Sequence, residues 1–577
     1  MTIRSRFCEP IPASSLPTWV FGSASGPISN PHKPVFIDAD RPKSHSLSTA
    51  EFRLLSKKIA LGLISDGLVS EDRVLVFSGN NIIYPSLFLG VLMAGGIYTG
   101  ASPHFTAREL LHQLQDSAAK YIFVAPERLP IAIEAASTIP GFPLSQIFIF
   151  GADDYSAVPQ FASLGDAHGN GPRHWTELTF GNEIEARTWD WVEPKDPSST
   201  TCCLNYSSGT TGVPKGVEVT HKSYIANCVQ VIHLMDRAPS AKEFRKRERV
   251  LCFLPLYHAF AQTYFGAIFP RLRVPVYIMP AYQFDKMLQH IEAFRITTLV
   301  AVPPVLVSMA KNPATKKHDL TCLEKISCGA APLSGDVIEE VEKLCSPRAS
   351  VTQGWGMTEM TCYITDWDAN IKANSAAVGE LMPNCSARLM QLDGKTPITK
   401  PYERGELWVT GPTVMKGYWR NQKATHETVH VDADGTRWMK TGDVGFVDRY
   451  EPGAIFHIVD RIKELIKVKG IQVAPAELEA ILLENVNVAD AAVVGVTING
   501  QELPRAYIVK SAGSVVTEKE IAEWMEGKFA RHKHLTGGVS FVEAIPKNPS
   551  GKILRRALRE NAQREVGDRK PFQSKIA

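Results

Sequence analysis

Short apolar runs alternate with amphipathic stretches along most of this chain, and that alternation limits the fold more than any other feature. Val74–Phe77, Tyr121–Val124, Gln146–Phe150, Val250–Leu254, Thr298–Val302 and Lys325–Cys328 are each followed by turn residues or a helix-like segment. Strands joined through helices pair in parallel, so the pattern predicts βαβ units in an α/β fold. Around Gly405–Val409 the strands become shorter and turn-separated, which predicts a small antiparallel sheet or a distorted, β-barrel-like subdomain. Beyond Asp460 the pattern changes again. Pro475 opens a helix with Leu478, Ile481 and Leu482 on one stripe, and Asn499-Gly500 marks a hairpin between Ala492–Val496 and Arg505–Lys510. Thr517-x-x-Glu520 is a capping box for a helix running towards Ala530. The expected division is a large N-terminal domain of parallel αβ sheets, residues 1–459, and a small α+β C-terminal domain, residues 460–577.

With 577 residues, the length prior is several domains at roughly 150 residues each. Hydrophobic residues at 44% and charged residues at 21% exclude a disordered or fibrous chain. Lys+Arg 63 against Asp+Glu 60 gives no reason to expect nucleic acid or an anionic membrane as partner. The ten cysteines show no C-x-x-C spacing, and Cys202 and Cys203 are adjacent, which points to free thiols in a reducing compartment. The long uncharged stretch from Val74 to Pro103 is punctuated by Ser78-Gly79-Asn80-Asn81, Pro85 and Gly95-Gly96, so it reads as strand, buried helix and strand, not a membrane span. The N-terminus has no apolar core of the signal-peptide kind, and the expectation is a soluble intracellular protein. The charge run Lys242–Arg249 reads as a solvated surface segment, with phosphate contact as the minor alternative.

The most informative segment is Tyr206-Ser207-Ser208-Gly209-Thr210-Thr211-Gly212-Val213-Pro214-Lys215-Gly216. Its glycines let successive backbone N–H groups face one concavity, and its hydroxyls and lysine add donors, a combination suited to an anion. It is not a Walker A loop, because no Gly-Lys-Ser/Thr follows. Further along stand Gln353-Gly354-Trp355-Gly356-Met357-Thr358-Glu359, Gly405-Glu406-Leu407, Lys416-Gly417-Tyr418 and Thr441-Gly442-Asp443. The run from Asp460 to Gly470 (DRIKELIKVKG) and Pro546-Lys547-Asn548-Pro549-Ser550-Gly551-Lys552 complete the set.

In this order, from Tyr206 to Lys552, these segments resemble the signatures of the adenylate-forming superfamily, and within it the acyl-CoA synthetase and 4-coumarate–CoA ligase type. The resemblance implies a phosphate cradle at Ser207, Ser208, Gly209, Thr210, Thr211, Gly212 and Lys215, and an adenine and α-phosphate strip at Gln353, Gly354, Trp355, Gly356, Met357 and Thr358. It implies Glu359 as the holder of Mg²⁺, a hard cation that prefers carboxylate oxygen. Asp443 and Arg461 take the ribose, Lys463, Lys467 and Gln472 contact the nucleotide or adenylate, and Lys469 and Gly470 face coenzyme A. Asp460 occupies the hinge position, about which the small domain is mobile. His258 stands at the mouth of an acyl pocket formed by Tyr257, Phe260, Tyr264, Gly329, Ala330 and Ala331. Lys552 is the terminal catalytic lysine, a compact charge able to bridge attacking carboxylate, α-phosphate and leaving pyrophosphate.

The implied activity is ATP-dependent activation of an aryl or medium-chain carboxylic acid to an acyl-adenylate, then transfer to coenzyme A. ATP, Mg²⁺ and coenzyme A are the implied cofactors and co-substrates, and a small acid is the partner. The rivals are an adenylating enzyme that passes the acyl group to a carrier protein or an oxidative reaction, and a non-catalytic nucleotide-binding regulator. Intact Lys552, Glu359 and Thr358 weigh against the second. Ser574-Lys575-Ile576 resembles a peroxisomal address but is followed by Ala577, so cytosol and peroxisome both stay open.

Overall fold

The computed structural model describes residues 1–151, 171–207, 213–371, 373, 377–469, 471–548 and 551–567. Two sheets built from the expected alternation form the body. One runs in the order Gly417–Tyr418, Lys215–Thr220, Thr201–Ser207, Ile97–Ala101, Arg73–Phe77, Tyr121–Val124, Ile147–Ile149, Arg173–His174. From Thr201–Ser207 onward its neighbours are parallel, and Lys215–Thr220 adds antiparallel. The other, Ser350–Gln353, Lys325–Cys328, Thr298–Ala301, Val250–Cys252, Val276–Ile278, Pro34–Asp38, is parallel throughout, with Ser46–Ser48 closing it antiparallel.

The uncharged stretch resolves as expected into strand Arg73–Phe77, helix Tyr84–Met93 and strand Ile97–Ala101. All ten helix residues are buried, which is why the segment reads as apolar all round. No helix among the described residues is long and apolar enough to cross a membrane.

One expectation is narrowed. The third unit is an open six-stranded antiparallel sheet, not a barrel. Its long strand Arg437–Val447 meets Gly405–Thr410 along one edge, while Val429–Val431 and Phe456–Arg461 share the other edge end to end, so the sheet never curls back on itself. The charge run is a surface segment as expected, with Lys242, Glu243, Lys246, Arg247 and Arg249 exposed; it forms helix Ala241–Arg247, seated on buried Phe244. Arg247 and Lys325 lie over the Phe244 ring at 4.9 and 4.3 Å, Arg245 pairs with buried Glu248 at 2.8 Å, and Arg247 pairs with Glu324, so its charges are largely neutralised locally.

Beyond Asp460 the chain has its own apolar clusters. Hairpin Val488–Ile498/Gln501–Lys510 pairs through the Asn499-Gly500 turn, and Val539–Phe541 adds parallel to its second strand. Ile466, Leu478, Leu482, Val493, Ile508, Ile521 and Met525 pack on one face, and Val494, Val496, Tyr507 and Leu558 on the other. The Thr517 capping box forms with both reciprocal bonds, and its helix ends at Glu526, short of Ala530.

Candidate nucleotide and acid site

Three of the segments singled out in the sequence converge on one carboxylate. Glu359 sits in the short turn Thr358–Met360, 4% exposed. Its Oε1 accepts from Ser207 Oγ at 2.8 Å and from the Tyr418 hydroxyl at 2.9 Å. Strand Gly417–Tyr418 pairs with Lys215–Thr220 through Val217↔Tyr418, which lays the Tyr418 ring 4.5 Å from Lys215 Nζ. Tyr418 thus separates the cation from the carboxylate and touches both. The sequence reading quoted this tyrosine but gave it no role; its place beside Lys416-Gly417 was the available signal.

Helix Ala107–Ser117 anchors both ends of the cradle loop. Tyr206 donates to Asp116 Oδ2 at 2.6 Å, and His112 Nε2 donates to the Pro214 carbonyl at 3.0 Å. The predicted cradle residues Ser208, Gly209, Thr210, Thr211 and Gly212 lie outside the described residues, as does Gly470.

Asp443 and Arg461, the residues expected at the ribose, are cross-strand partners in the antiparallel sheet, with Arg461 Nε 3.4 Å from Asp443 Oδ1. The Trp355 indole N–H donates to Asp443 Oδ2 at 2.8 Å. The aromatic residue of one motif therefore holds the acid of another. Gly354 and Gly356 have to be glycine for packing, because a Cβ at either would run into the Tyr363 ring or the Cys362 carbonyl. Gln353 spends its amide on the Leu333 backbone, accepting at 2.8 Å and donating at 3.0 Å, and so shapes the 329–333 loop.

Lys552 emerges from a tight turn. Asn548 N–H donates to the Lys552 carbonyl, Lys552 N–H donates to Asn548 Oδ1, both at 2.9 Å, and Lys547 bridges to Ile553. Gly551, at φ +81°, lies where a side chain would press on Pro304 and Val302. Burial lowers the Lys552 ammonium to about 8, helped by Arg461 and opposed by Asp443 and Glu359. That set of neighbours puts Lys552 among the nucleotide groups.

His258 caps the helical run that starts at Ala259, its Nδ1 accepting from Phe260 N–H at 3.4 Å. Burial, with Lys552 nearby, pushes the imidazole down to about 4. It is neutral at physiological pH, and with Nδ1 accepting, its proton sits on Nε2. His258 divides two cavities. The larger, about 70 Å³, is lined by Ser102, Phe105, Asn205, Tyr257, His258 and Thr358. The smaller, about 10 Å³, lies between Leu254, Pro255, His258, Phe260, Val302 and Ala330. Tyr257 therefore faces the Thr358 side, not the bay lined by Phe260 and Ala330.

Behind that bay, Phe260, Tyr264 and Tyr363 form a triangle with centroids 5.6 to 5.9 Å apart. Tyr264 and Tyr363 are almost fully buried. Gly329 faces the Phe260 ring, and half-buried Ala330 and Ala331 follow it. Tyr363 was not found from sequence: it lies three residues beyond Met360, in a strand whose facing depends on the register with Trp355. Deeper still, burial raises Asp366 to about 7, and its Oδ1 accepts from Trp367 N–H at 2.8 Å.

Asp460 is 9% exposed and accepts from Arg461 N–H and Ala476 N–H at 2.7 and 3.0 Å, tying the end of one strand to the start of helix Pro475–Leu482. Burial raises its carboxyl. Lys467 and Gln472 are paired across the hairpin Ile466–Val468/Ile471–Val473, and with Lys469 they stand exposed, not among the buried nucleotide groups. Lys463 is exposed as well, although burial and Arg461 lower its ammonium. Among the described residues no cluster of three or more His, Cys, Asp or Glu could hold a metal by itself. Glu359 fits a cation held by one carboxylate together with substrate phosphates.

Residues 28–419 match the family described as AMP-binding enzyme, and residues 477–552 match the AMP-binding enzyme C-terminal domain. The chain is 36% identical over 562 residues to phenylacetyl-CoA ligase epaB of Aspergillus niger, covering 96% of this chain and 98% of that one. It is 34% identical over 533 residues to 4-coumarate-CoA ligase 1 of Narcissus pseudonarcissus, covering 91% and 90%. Among solved structures, ATP-bound MatB from Rhodopseudomonas palustris has a TM-score of 0.78 at 24% identity over 95% of this chain and 98% of that one. The anthranilate CoA ligase AuaEII in complex with anthranoyl-AMP reaches 0.80 at 20% identity, over 96% and 98%.

Proposed function

The chain belongs to the AMP-binding enzyme family, and from that premise we propose that it is an AMP-forming acyl-CoA ligase whose acid is aryl or medium-chain. The observation that carries this reading is the nearness of half-buried Lys552 and His258 to the buried carboxylates Asp443 and Glu359. A carboxylate oxygen attacks the α-phosphorus, the bond to the β-phosphate oxygen breaks, and pyrophosphate leaves. A thiol sulfur then attacks the acyl carbon, the carbon–oxygen bond to AMP breaks, and the thiol proton passes to solvent.

Each residue has a role matched to its place. Lys215 and the cradle from Ser207 to Gly212 hold the β- and γ-phosphates, and Asp443 with Arg461 takes the ribose. Thr358 donates to the α-phosphate. His258 offers Nε2–H to the substrate carboxylate, which a neutral imidazole does without changing charge. The Lys552 ammonium meets the negative charge that develops in the first step, and bound triphosphate strengthens its protonation. Glu359 would hold Mg²⁺, which neutralises phosphate charge when bound.

Residues 1–459 act as the nucleotide and acid domain and residues 460–577 as a mobile unit hinged at Asp460. In the second step, rotation exchanges Lys552 for the exposed residues Lys467, Lys469 and Gln472, and Gly470 serves the thiol. Names among the relatives, phenylacetyl-CoA and 4-coumarate-CoA ligase, support an aryl acid. A cytosolic or peroxisomal setting fits the ten free thiols.

The test is pyrophosphate release from ATP with a panel of aryl and medium-chain acids, with and without coenzyme A, and detection of thioester. Acid-dependent pyrophosphate and a CoA thioester are expected. Pyrophosphate without thioester would move the reading to a carrier-protein loader, and no pyrophosphate with any acid would end the ligase reading.

A further inference from the structure

Helix Pro303–Lys311 touches the C-terminal unit at both of its ends. At its start, Pro304 and Val302 seat Gly551, the residue before Lys552. At its finish, Lys311 Nζ donates to the carbonyls of Leu483 and Val488 at 2.8 and 2.6 Å. Leu483 is the C-cap of helix Pro475–Leu482, so its carbonyl belongs to the orphan set at a helix end. The Lys311 ammonium thus caps a helix C-terminus of the C-terminal unit, where partial negative charge gathers.

The connection continues to the catalytic turn. Val488 opens the strand that carries Asp490, and Asp490 pairs with Lys547 at 2.6 Å, at the base of the Asn548–Lys552 turn. Nine residues of helix separate the two contacts by about 12 Å. The unit is also held beside Asp460, where Ile462 N–H donates to the Gly442 carbonyl at 2.9 Å; Lys311 adds a charged contact to a different part of it, at the far end of the helix from Gly551.

We propose that Lys311 is a positioning residue that latches the C-terminal unit in the orientation presenting Lys552, and so favours adenylation over thioester formation. The inference rests on the ligase reading above. Lys311 touches no substrate; it acts through where it holds Lys552. Release of the latch lowers the fraction of molecules with Lys552 in place and leaves the thioester-forming orientation no less accessible.

The experiment compares the parent, Lys311→Ala and Lys311→Arg in the full-length chain. Adenylate formation, read as single-turnover pyrophosphate release, is expected to fall about five- to tenfold in Lys311→Ala, the scale of losing a charge-assisted hydrogen bond. Thioester formation from supplied acyl-adenylate and coenzyme A should stay level or rise. Lys311→Arg, whose fork can reach both carbonyls, should recover most of the loss. Orientation is read independently by energy transfer between dyes on Cys8, the exposed native cysteine, and on Val515→Cys, an exposed position of the C-terminal unit. Without any acid present, Lys311→Ala should shift or broaden that distribution. Equal loss of both half-reactions, no loss of adenylation, or an unchanged dye distribution overturns the latch. If the parent releases no pyrophosphate with any acid, the ligase reading fails, and the dye distribution alone decides for or against the latch.

Discussion

The nucleotide side and the acid side of the site are built on different physics. On the nucleotide side, charged and polar groups from distant segments bond directly to one another: Glu359 to Ser207 and Tyr418, Asp443 to Trp355 and Arg461. On the acid side, Phe260, Tyr264 and Tyr363 fill space against one another at 5.6 to 5.9 Å. Bonded charges tolerate little change, because removing one partner strands the other in a buried place. Ring packing is graded by volume, so an acid bay can be reshaped while the chemistry beside it stays intact. The difference teaches where selectivity and where reactivity can be altered separately.

The largest effect expected is at Lys552. Lys552→Ala should slow adenylate formation roughly a hundred- to thousandfold, about 3–4 kcal/mol, the scale of one strong transition-state donor. Thioester formation from supplied adenylate should survive, as separate assays of the half-reactions would reveal; equal damage to both would erase the distinction between the two orientations. Next comes Tyr264→Ala, which enlarges the bay by a ring. The ratio of kcat/KM for bulky over small acids should rise about tenfold or more, with KM for ATP unchanged. An acid profile identical to the parent's would mean that Tyr264 does not limit the bay.

A smaller change, Tyr418→Phe, keeps the ring under Lys215 but removes the hydroxyl that Glu359 accepts. KM for ATP should rise roughly fivefold with acid preference untouched, consistent with one hydrogen bond to a charged group. If acid preference moved instead, the two sides would not be separable. The mildest expectation is a pH effect. Lys552 must be protonated to act, and it titrates at about 8 in the free protein. Adenylation kcat/KM should therefore be halved near pH 8 and fall further above it, with the limb in kcat displaced upward by bound triphosphate. His258, at about 4, should add no limb between pH 5 and 8.

Much of this arrangement was legible before any coordinates. Tyr121–Val124 is a strand to the residue, because an uninterrupted apolar run bounded by turn residues allows few other readings, and Lys325–Cys328 is one through its alternation, with Ile326 and Cys328 buried. Glu359, Asp443 and Lys552 were singled out for a different reason, since they stand in short segments that resemble the family's signatures. Tyr363 and the Lys311 contact were not. Both depend on register and helix placement across long stretches of chain, which no local pattern encodes. The open edge of the antiparallel sheet was hidden for the same reason: alternation tells that strands pair, not whether the last returns to the first. The helix over Ala241–Arg247 was masked by its charges, whose partners Glu248, Asp236 and Glu324 come from other elements or just beyond the helix.

The indole of Trp355 has one further consequence. Its N–H is committed to Asp443, the carboxylate proposed to take the ribose, so a donor arriving at that carboxylate must share it with the indole or displace it.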